Sequence, residues 1–198
     1  MNTAKEMTLL QWSDALASAR PTPGGGGVGA LLGTLATCLA SMVANLTYDK
    51  KGYENFSAEC NNLILKASEI QKKLLNLIDE DAIAFDNLMA AYKYGAKDED
   101  YVKAAKPSVH MVYEIISTID ILEILGSNGN KNLISDVGVG ATCAKAALET
   151  CKLNILVNFK YIKAEENKRS FFPLLEELIP ESIKTADIIY KSVVSSLT

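Results

Sequence analysis

Asp81 is the side chain in this sequence that is best placed to do chemistry. Over residues 56–91, apolar side chains recur in alternating steps of four and three residues, which predicts one long helix buried along a single stripe. One position of that stripe, between Leu77 and Ala84, falls on Asp81. Burial disfavours a charged carboxylate, so its pKa rises unless a neighbour pairs with it, and such acids often serve as functional groups. The structural alternative is an acid turned to the rim or bonded to a neighbouring helix terminus, and periodicity alone leaves both open.

The other reactive side chains point to little further chemistry. A single histidine, His110, argues against a histidine-rich metal site or a serine–histidine relay. Its place beside an amphipathic stripe favours a surface or packed residue. The cysteines form no CxxC pair and predict small buried hydrophobes in a cytoplasmic protein; they are Cys38, Cys60, Cys143 and Cys151. We therefore expect no metal site.

The most unusual stretch of the chain is Pro21–Tyr48, which carries no charged residue between its ends and contains four consecutive glycines, Gly24–Gly27. Small residues then recur at every fourth position as far as Asn45, which predicts a helix closely packed by its neighbours, because each helical glycine otherwise costs about 1 kcal/mol relative to alanine. Such a run is also typical of a transmembrane span. No other segment looks membranous, and this one has polar side chains, so the sequence favours a central buried helix.

A polar cluster at residues 128–136 separates two later helices. Ser135 is predicted to cap the fifth helix, and Asp136 lies in its first turn, where the helix dipole favours an acid. Upstream, Pro107 is predicted to kink or restart the fourth helix. No strand precedes the glycine run, which argues against a nucleotide site.

The bulk composition describes one globular domain covering residues 1–198. A net charge of −4 argues against general nucleic-acid binding, and the N-terminus lacks the apolar core of a secretion signal. No segment alternates as a strand does, so we predict an all-α bundle of about six to eight helices around the glycine-rich helix. Exposed stripes on long helices suggest a homodimer or larger assembly. The glycine surface, the acid and the polar cluster together would line a cleft for a flat organic ligand.

Three blocks of the sequence resemble, in order and spacing, the formiminotransferase-cyclodeaminase C-terminal domain family. They are PTPGGGGVGALLGTLATCLASMVANLT from Pro21, IDEDAIAF from Ile78, and GNKNLISDVGVGATCAKAALETCKLNILVN from Gly129. The resemblance implies an oligomeric helical fold and a tetrahydrofolate derivative as substrate, with no metal or nucleotide cofactor. It also implies that Asp81 is the proton acceptor, the residue already selected by periodicity.

The resemblance implies a set of binding residues as well. They are Pro23, Gly24, Gly25, Gly26 and Gly27 at the glycine run, Asn130, Ser135 and Asp136 in the polar cluster, and Lys50 or Lys131 for the glutamate tail. The family often has a serine where this chain has Gly27, so a hydroxyl is missing at that position.

Two activities fit this resemblance. The first expectation is a cyclodeaminase that closes 5-formimidoyltetrahydrofolate to 5,10-methenyltetrahydrofolate and releases ammonia. The alternative is a cyclohydrolase that opens the methenyl bridge to 10-formyltetrahydrofolate. A third interpretation is a non-catalytic helical protein that binds folate or serves assembly, in which the glycine helix has only a packing role.

Overall fold

The computed structural model describes residues 3–198, which fold into α-helices without a β-strand. The α-helices are α1 (Leu9–Leu16), α2 (Gly25–Asn45), α3 (Ser57–Tyr92), α4 (Asp98–Asn128), α5 (Ile134–Phe159), α6 (Glu165–Arg169) and α7 (Ile179–Leu197). A π-helical turn at Pro173–Leu178 leads into α7. The predicted all-α class is confirmed, and so is the predicted number of helices.

The glycine-rich helix α2 lies in the centre of the bundle, packed against α3, α4 and α5. Eleven of its 21 residues are buried. A Cβ added at Gly33 would lie 2.9 Å from Cγ1 of Ile115 on α4, and one at Gly29 would lie 3.3 Å from Cγ2 of Thr150 on α5. The glycines therefore allow neighbouring helices to approach closely, as predicted. In residues 3–198, α2 alone has the length and hydropathy of a membrane span, a test that core helices of soluble proteins also pass.

Helices α2 and α5 run antiparallel, so the two ends of the pair have different surroundings. At one end, a Cβ added at Gly25 would lie 3.2 Å from Oδ1 of Asn154. At the other end, the backbone N–H of Asn130 donates to Oγ1 of Thr47 at 3.0 Å. With a rise of about 1.5 Å per residue, α2 places these ends about 30 Å apart.

Two predictions about helix boundaries are wrong. Ser135 does not cap α5, because the helix already begins at Ile134 behind a 3₁₀ turn. The side chain of Asn130 stabilises that turn by accepting from the N–H of Asn132 at 3.2 Å, while Asp136 lies in the first turn of α5 as predicted. Pro107 does not restart α4, which is one helix from Asp98 to Asn128, while the alternative of a kink at Pro107 stays a prediction.

The reactive side chains outside the predicted site behave largely as expected. His110 is exposed. The cysteines are all free; Cys60 and Cys151 are buried, whereas Cys38 and Cys143 are half-buried. The apolar stripe of α3 faces the core along its length, with Leu74 fully buried.

Candidate active site

The buried stripe of α3 carries Asp81 to the N-terminus of α2. Its carboxylate lies so close to Gly26 that a Cβ added there would overlap it, and the backbone N–H of Gly27 donates a hydrogen bond to it. The N-cap residue of α2, Gly24, has no side chain with which to accept from the free N–H groups of the first turn. Asp81 therefore supplies the missing acceptor from another helix.

The surroundings of Asp81 bring the pKa of its carboxyl group close to neutral pH. Burial raises the pKa of Asp81 to about 6, and the hydrogen bond from Gly27 opposes this rise only in part. At neutral pH the carboxylate form prevails while the acid form stays accessible, which suits a group that takes and returns a proton. Burial, assisted by the charge of Asp81, raises the pKa of Cys151 to about 12, so this thiol stays protonated and is a poor nucleophile.

A cavity of about 290 Å³ opens beside Asp81, between the N-terminus of α2 and helices α3, α4 and α5. Its lining consists of Pro21, Thr22, Gly24, Gly25, Gly26, Asp81, Phe85, Leu88, Met89, Tyr92, Ala104, Ser108, Asn154, Val157, Asn158 and Tyr161. Most of these residues are apolar or aromatic, with a few polar groups among them. Pockets of this kind bind small organic ligands.

Two asparagines one helical turn apart on α5 provide hydrogen-bond acceptors in the cavity. The Nδ2 of Asn154 donates to the carbonyl of Thr150, and the Nδ2 of Asn158 donates to the carbonyl of Asn154, each at 3.0 Å. Each side-chain oxygen is thereby left to accept from a ligand. Sequence reasoning missed this pair, although the inward row of α5 that passes through Ala147 and Cys151 turns polar at these two positions.

Tyrosines from three elements form one aromatic wall. The rings of Tyr101 and Tyr161 stack with centroids 5.3 Å apart, and Tyr92 meets Tyr101 edge to face at 6.1 Å. Tyr92 and Tyr161 line the cavity directly. Such a wall suits a flat conjugated ring. The sequence held no signal for it, because the three residues share no spacing.

The cavity is electrostatically suited to a positively charged centre. Asp81 is the single carboxylic acid among the lining residues, and they include no lysine, arginine or histidine. The faces of the tyrosine rings are also attractive to a cation.

Comparison with known proteins agrees with this geometry. Residues 8–172 match the family described as formiminotransferase-cyclodeaminase. The chain belongs to this family.

Members of the family and its structures resemble the chain over its whole length. A methenyltetrahydrofolate cyclohydrolase of Methylorubrum extorquens is 34% identical, covering 96% of this chain and 97% of the relative. The crystal structure of formiminotetrahydrofolate cyclodeaminase from Thermotoga maritima superposes with a TM-score of 0.93 at 31% identity, covering 98% of this chain and 99% of that one.

Another relative is the formimidoyltransferase-cyclodeaminase of Gallus gallus. It is 27% identical over 81% of this chain, but the match spans only 32% of that protein. The chain is thus an enzyme of the folate one-carbon cyclohydrolase and cyclodeaminase family, and it spans about a third of the bifunctional relative.

The structure brings together only part of the binding set that the family resemblance implies. Gly24, Gly25 and Gly26 line the cavity with Asp81. Pro23 and Gly27 are buried and do not line the cavity. A Cβ added at Gly27 would lie 3.4 Å from Cβ of Pro23.

The remaining implied residues lie at the opposite end of α2 within this chain. Asn130 is 6% exposed and stabilises the turn before α5, and Nζ of Lys131 donates to the last carbonyls of α4, those of Gly126 and Ser127, at 3.0 and 2.9 Å. Ser135 and Asp136 follow in α5, and Lys50 follows α2. The length of α2 separates all five from Asp81, so their role in binding stays a prediction.

Proposed function

We propose that this enzyme is a methenyltetrahydrofolate cyclohydrolase, with Asp81 as its general base and acid. The observation that carries the proposal is a carboxyl group with a near-neutral pKa in a cavity that has no cationic side chain. The choice of reaction rests on the 34% identical relative, which bears that name and matches over the full length of both chains. The cyclodeaminase reaction, the first expectation from sequence, is the second candidate because the T. maritima structure bears that title.

The cavity fits the chemistry of a methenylfolate. The bridge between N5 and N10 carries a positive charge, which the Asp81 carboxylate and the tyrosine faces would stabilise. The oxygens of Asn154 and Asn158 are placed to accept from the N–H groups of a pterin ring. The bare backbone of Gly25 and Gly26 lets the ring approach the first turn of α2.

In the hydrolytic direction, Asp81 first acts as a base. A water molecule attacks the methenyl carbon while Asp81 takes one of its protons, which gives a neutral tetrahedral carbon that bears a hydroxyl group. Asp81 then returns that proton to N5 as the C–N5 bond breaks. The hydroxyl proton leaves to solvent, so the products are 10-formyltetrahydrofolate and one proton.

The same group would serve the cyclodeaminase reaction. N10 attacks the carbon of the protonated formimidoyl group, and Asp81 moves the N10 proton to the amino group. Ammonia leaves with the electron pair of its C–N bond, and the cationic methenyl bridge remains. Both reactions need a proton shuttle at the carbon between N5 and N10, so Asp81 alone does not distinguish them.

Two wider features belong to the same proposal. We infer a homodimer or higher assembly from the exposed apolar stripes of long helices, and a cytoplasmic location from the free cysteines. Folate is the only ligand proposed.

The experiment follows the methenyl absorbance with purified protein in two separate reactions. Protein-dependent loss of added 5,10-methenyltetrahydrofolate, above the spontaneous rate, is expected for the cyclohydrolase. Growth of the same absorbance from 5-formimidoyltetrahydrofolate, with ammonia release, would instead establish the cyclodeaminase. Asp81→Asn should reduce the rate by at least about 10²-fold, the usual contribution of a general acid or base.

The matched control is Asp79→Asn, two residues away on α3 and outside the cavity lining, which should keep its activity. Near-full activity of Asp81→Asn would overturn the assigned role. Folate binding with no turnover of either substrate would leave a binding protein.

A further inference from the structure

One acidic side chain joins the start of α4 to the loop between α5 and α6, residues 160–164. Asp98 is the first residue of α4. Its Oδ2 accepts hydrogen bonds from the backbone N–H groups of Lys163, at 2.9 Å, and of Ala164, at 2.6 Å. Because a charged acceptor makes these bonds stronger than neutral ones, Asp98 fixes the end of this loop to a long helix. We call these two bonds the Asp98 link.

The charge of Asp98 belongs to this link. The bond from Ala164 lowers the pKa of Asp98 most, and the bond from Lys163 comes next. Asp98 is therefore a carboxylate at neutral pH, and the link is lost only when the pH falls below the ordinary range of an aspartic acid. Asp98 is absent from the residues that line the cavity. Any effect it has on a ligand must therefore pass through the loop.

The same loop carries one tyrosine of the aromatic wall. Tyr161 lines the cavity and is 47% exposed. Its ring lies nearly parallel to that of Tyr101, at an angle of 19°. Tyr101 follows Asp98 by three residues, so one face of α4 contacts both the ring of Tyr161 and the backbone of its loop. Of the three tyrosines in the wall, Tyr161 alone lies outside a helix, and its position depends on the loop.

We propose that Asp98 is a positioning residue, which fixes the loop 160–164 and so holds the ring of Tyr161 in place for the flat ring of the substrate. Without the Asp98 link, the loop keeps its anchor at Ile162, which is 2% exposed, but the following two residues lose their hydrogen bonds to α4. The half-exposed ring of Tyr161 can then leave its stacked position. A ligand would have to order that ring again on binding, which weakens its affinity.

The link should affect binding much more than chemistry. Asp81 is held by the first turn of α2 and not by this loop. Asp98→Ala should therefore raise the KM for 5,10-methenyltetrahydrofolate about two- to tenfold, the range of one aromatic stacking contact. The kcat should stay within about twofold of the wild type, as expected when an interaction shared by ground state and transition state is removed. This part rests on the proposed function.

Two further variants separate the link from a general change at the end of α4. Asp98→Asn keeps an oxygen that can accept from both N–H groups, so its KM should rise less than that of Asp98→Ala. The matched control is Asp100→Ala, which also removes an acid from the first turn of α4. Asp100 accepts from the backbone N–H of Lys97 at 2.9 Å and not from the loop, so this variant should keep the KM of the wild type.

A double-mutant cycle decides whether Asp98 acts through Tyr161. Tyr161→Leu removes the ring and should itself raise KM. Asp98→Ala should then raise KM no further, because the two changes remove the same interaction. A rise of equal size with and without Tyr161 would overturn the proposal. So would an unchanged KM in Asp98→Ala, or an equal rise in Asp100→Ala.

The position of the ring has a readout that needs no activity. Near-ultraviolet circular dichroism reports how rigidly tyrosine rings are held. Asp98→Ala and Tyr161→Leu should lose the same part of this signal, their combination should lose no more, and Asp100→Ala should keep it. A full signal in Asp98→Ala would overturn the link. A wild type that turns over neither folate would count against the proposed function instead, and the dichroism would still decide whether Asp98 holds the ring.

Discussion

Asp81 fills the place of a missing N-cap side chain for α2, and this explains how the fold holds a titratable acid in a half-buried position. The capping bond from Gly27 partly offsets the desolvation of the carboxylate, yet the pKa still rises to about 6. The residue that is best placed for proton transfer is therefore also a residue whose charge weakens the fold.

Removing this charge should stabilise the protein. The pKa of Asp81 lies above its ordinary value of 3.8, so the folded state binds the proton more tightly, and stability is lost as pH rises through the window from about 3.8 to about 6. Asp81→Asn keeps an acceptor for Gly27 but no charge. We expect little difference from wild type at pH 4 and a gain of up to about 3 kcal/mol above pH 7, from about 1.36 kcal/mol per pKa unit. Chemical denaturation at both pH values measures it, and a gain that does not change with pH would contradict the argument.

Adjacent glycines of α2 should respond in opposite ways to a methyl group. Gly26→Ala places a Cβ on the Asp81 carboxylate and should destabilise the fold by about 1–3 kcal/mol. Gly27→Ala meets Pro23 and Trp12 only at ordinary contact distances, so the higher helix propensity of alanine should stabilise by up to about 1 kcal/mol. Thermal unfolding compares the two. Asp81→Ala should restore much of the stability lost in Gly26→Ala; if it restores none, overlap with Asp81 is not the cause.

A hydroxyl group at position 27 would lie close to the indole of Trp12. Nε1 of Trp12 is buried without a hydrogen-bond partner in residues 3–198, and a Cβ at Gly27 would lie 3.7 Å from Cζ2 of the same indole. We expect Gly27→Ser to be more stable than Gly27→Ala by about 1 kcal/mol, the usual net value of one hydrogen bond. Equal stability of the two variants, or a gain that persists in Trp12→Phe, would exclude this bond.

At the scale of helices, the small residues of α2 allow neighbouring helices to pack closely against it. Gly33 faces Ile115, which is fully buried, and a Cβ added at Gly33 would lie 2.9 Å from Cγ1 of Ile115. Gly33→Ala should therefore destabilise by about 1–3 kcal/mol in spite of the better helix propensity. Gly126→Ala on α4 is the control, because its Cβ would lie 3.6 Å from Val137, an ordinary contact. If both variants are stabilising in urea titrations, close packing does not explain the row.

Helix-level features were predictable from sequence because helical periodicity reports burial directly. The stripe of α3 and the glycine row of α2 both follow from spacing, and the stripe selected Asp81 without any comparison. The ends of the helices were harder to predict from the sequence than their buried sides. Ser135 has the residue type of a cap, but Asn130 forms the turn earlier and α5 starts before Ser135. Pro107 removes only one backbone donor, and the packing of α4 keeps the helix continuous.

The composition of the cavity was predictable only in part. Gly24, Gly25 and Gly26 adjoin Asp81 as expected, but the tyrosine wall joins elements that are distant in sequence. The sequence also does not show how far apart two motifs lie in space. The glycine run and the polar cluster lie near opposite ends of α2, about 30 Å apart. That is why the polar cluster and Asp81 appear as one site in sequence and as two places in one subunit.

At the scale of the whole molecule, the proposed homodimer can be tested at an exposed apolar side chain of α5. Leu153 is 69% exposed. If it lies at a subunit interface, Leu153→Lys should move dissociation to a higher protein concentration, because a buried lysine opposes pairing.

The matched control is Leu65→Lys on α3. Leu65 is 59% exposed, close to the 69% of Leu153, but it lies on a different helix. The mass of Leu65→Lys should change with dilution as that of the wild type does, and the circular dichroism spectrum should be unchanged in both variants. Light scattering across a dilution series measures the mass. A mass of Leu153→Lys equal to that of the wild type at every concentration would contradict an interface at this position.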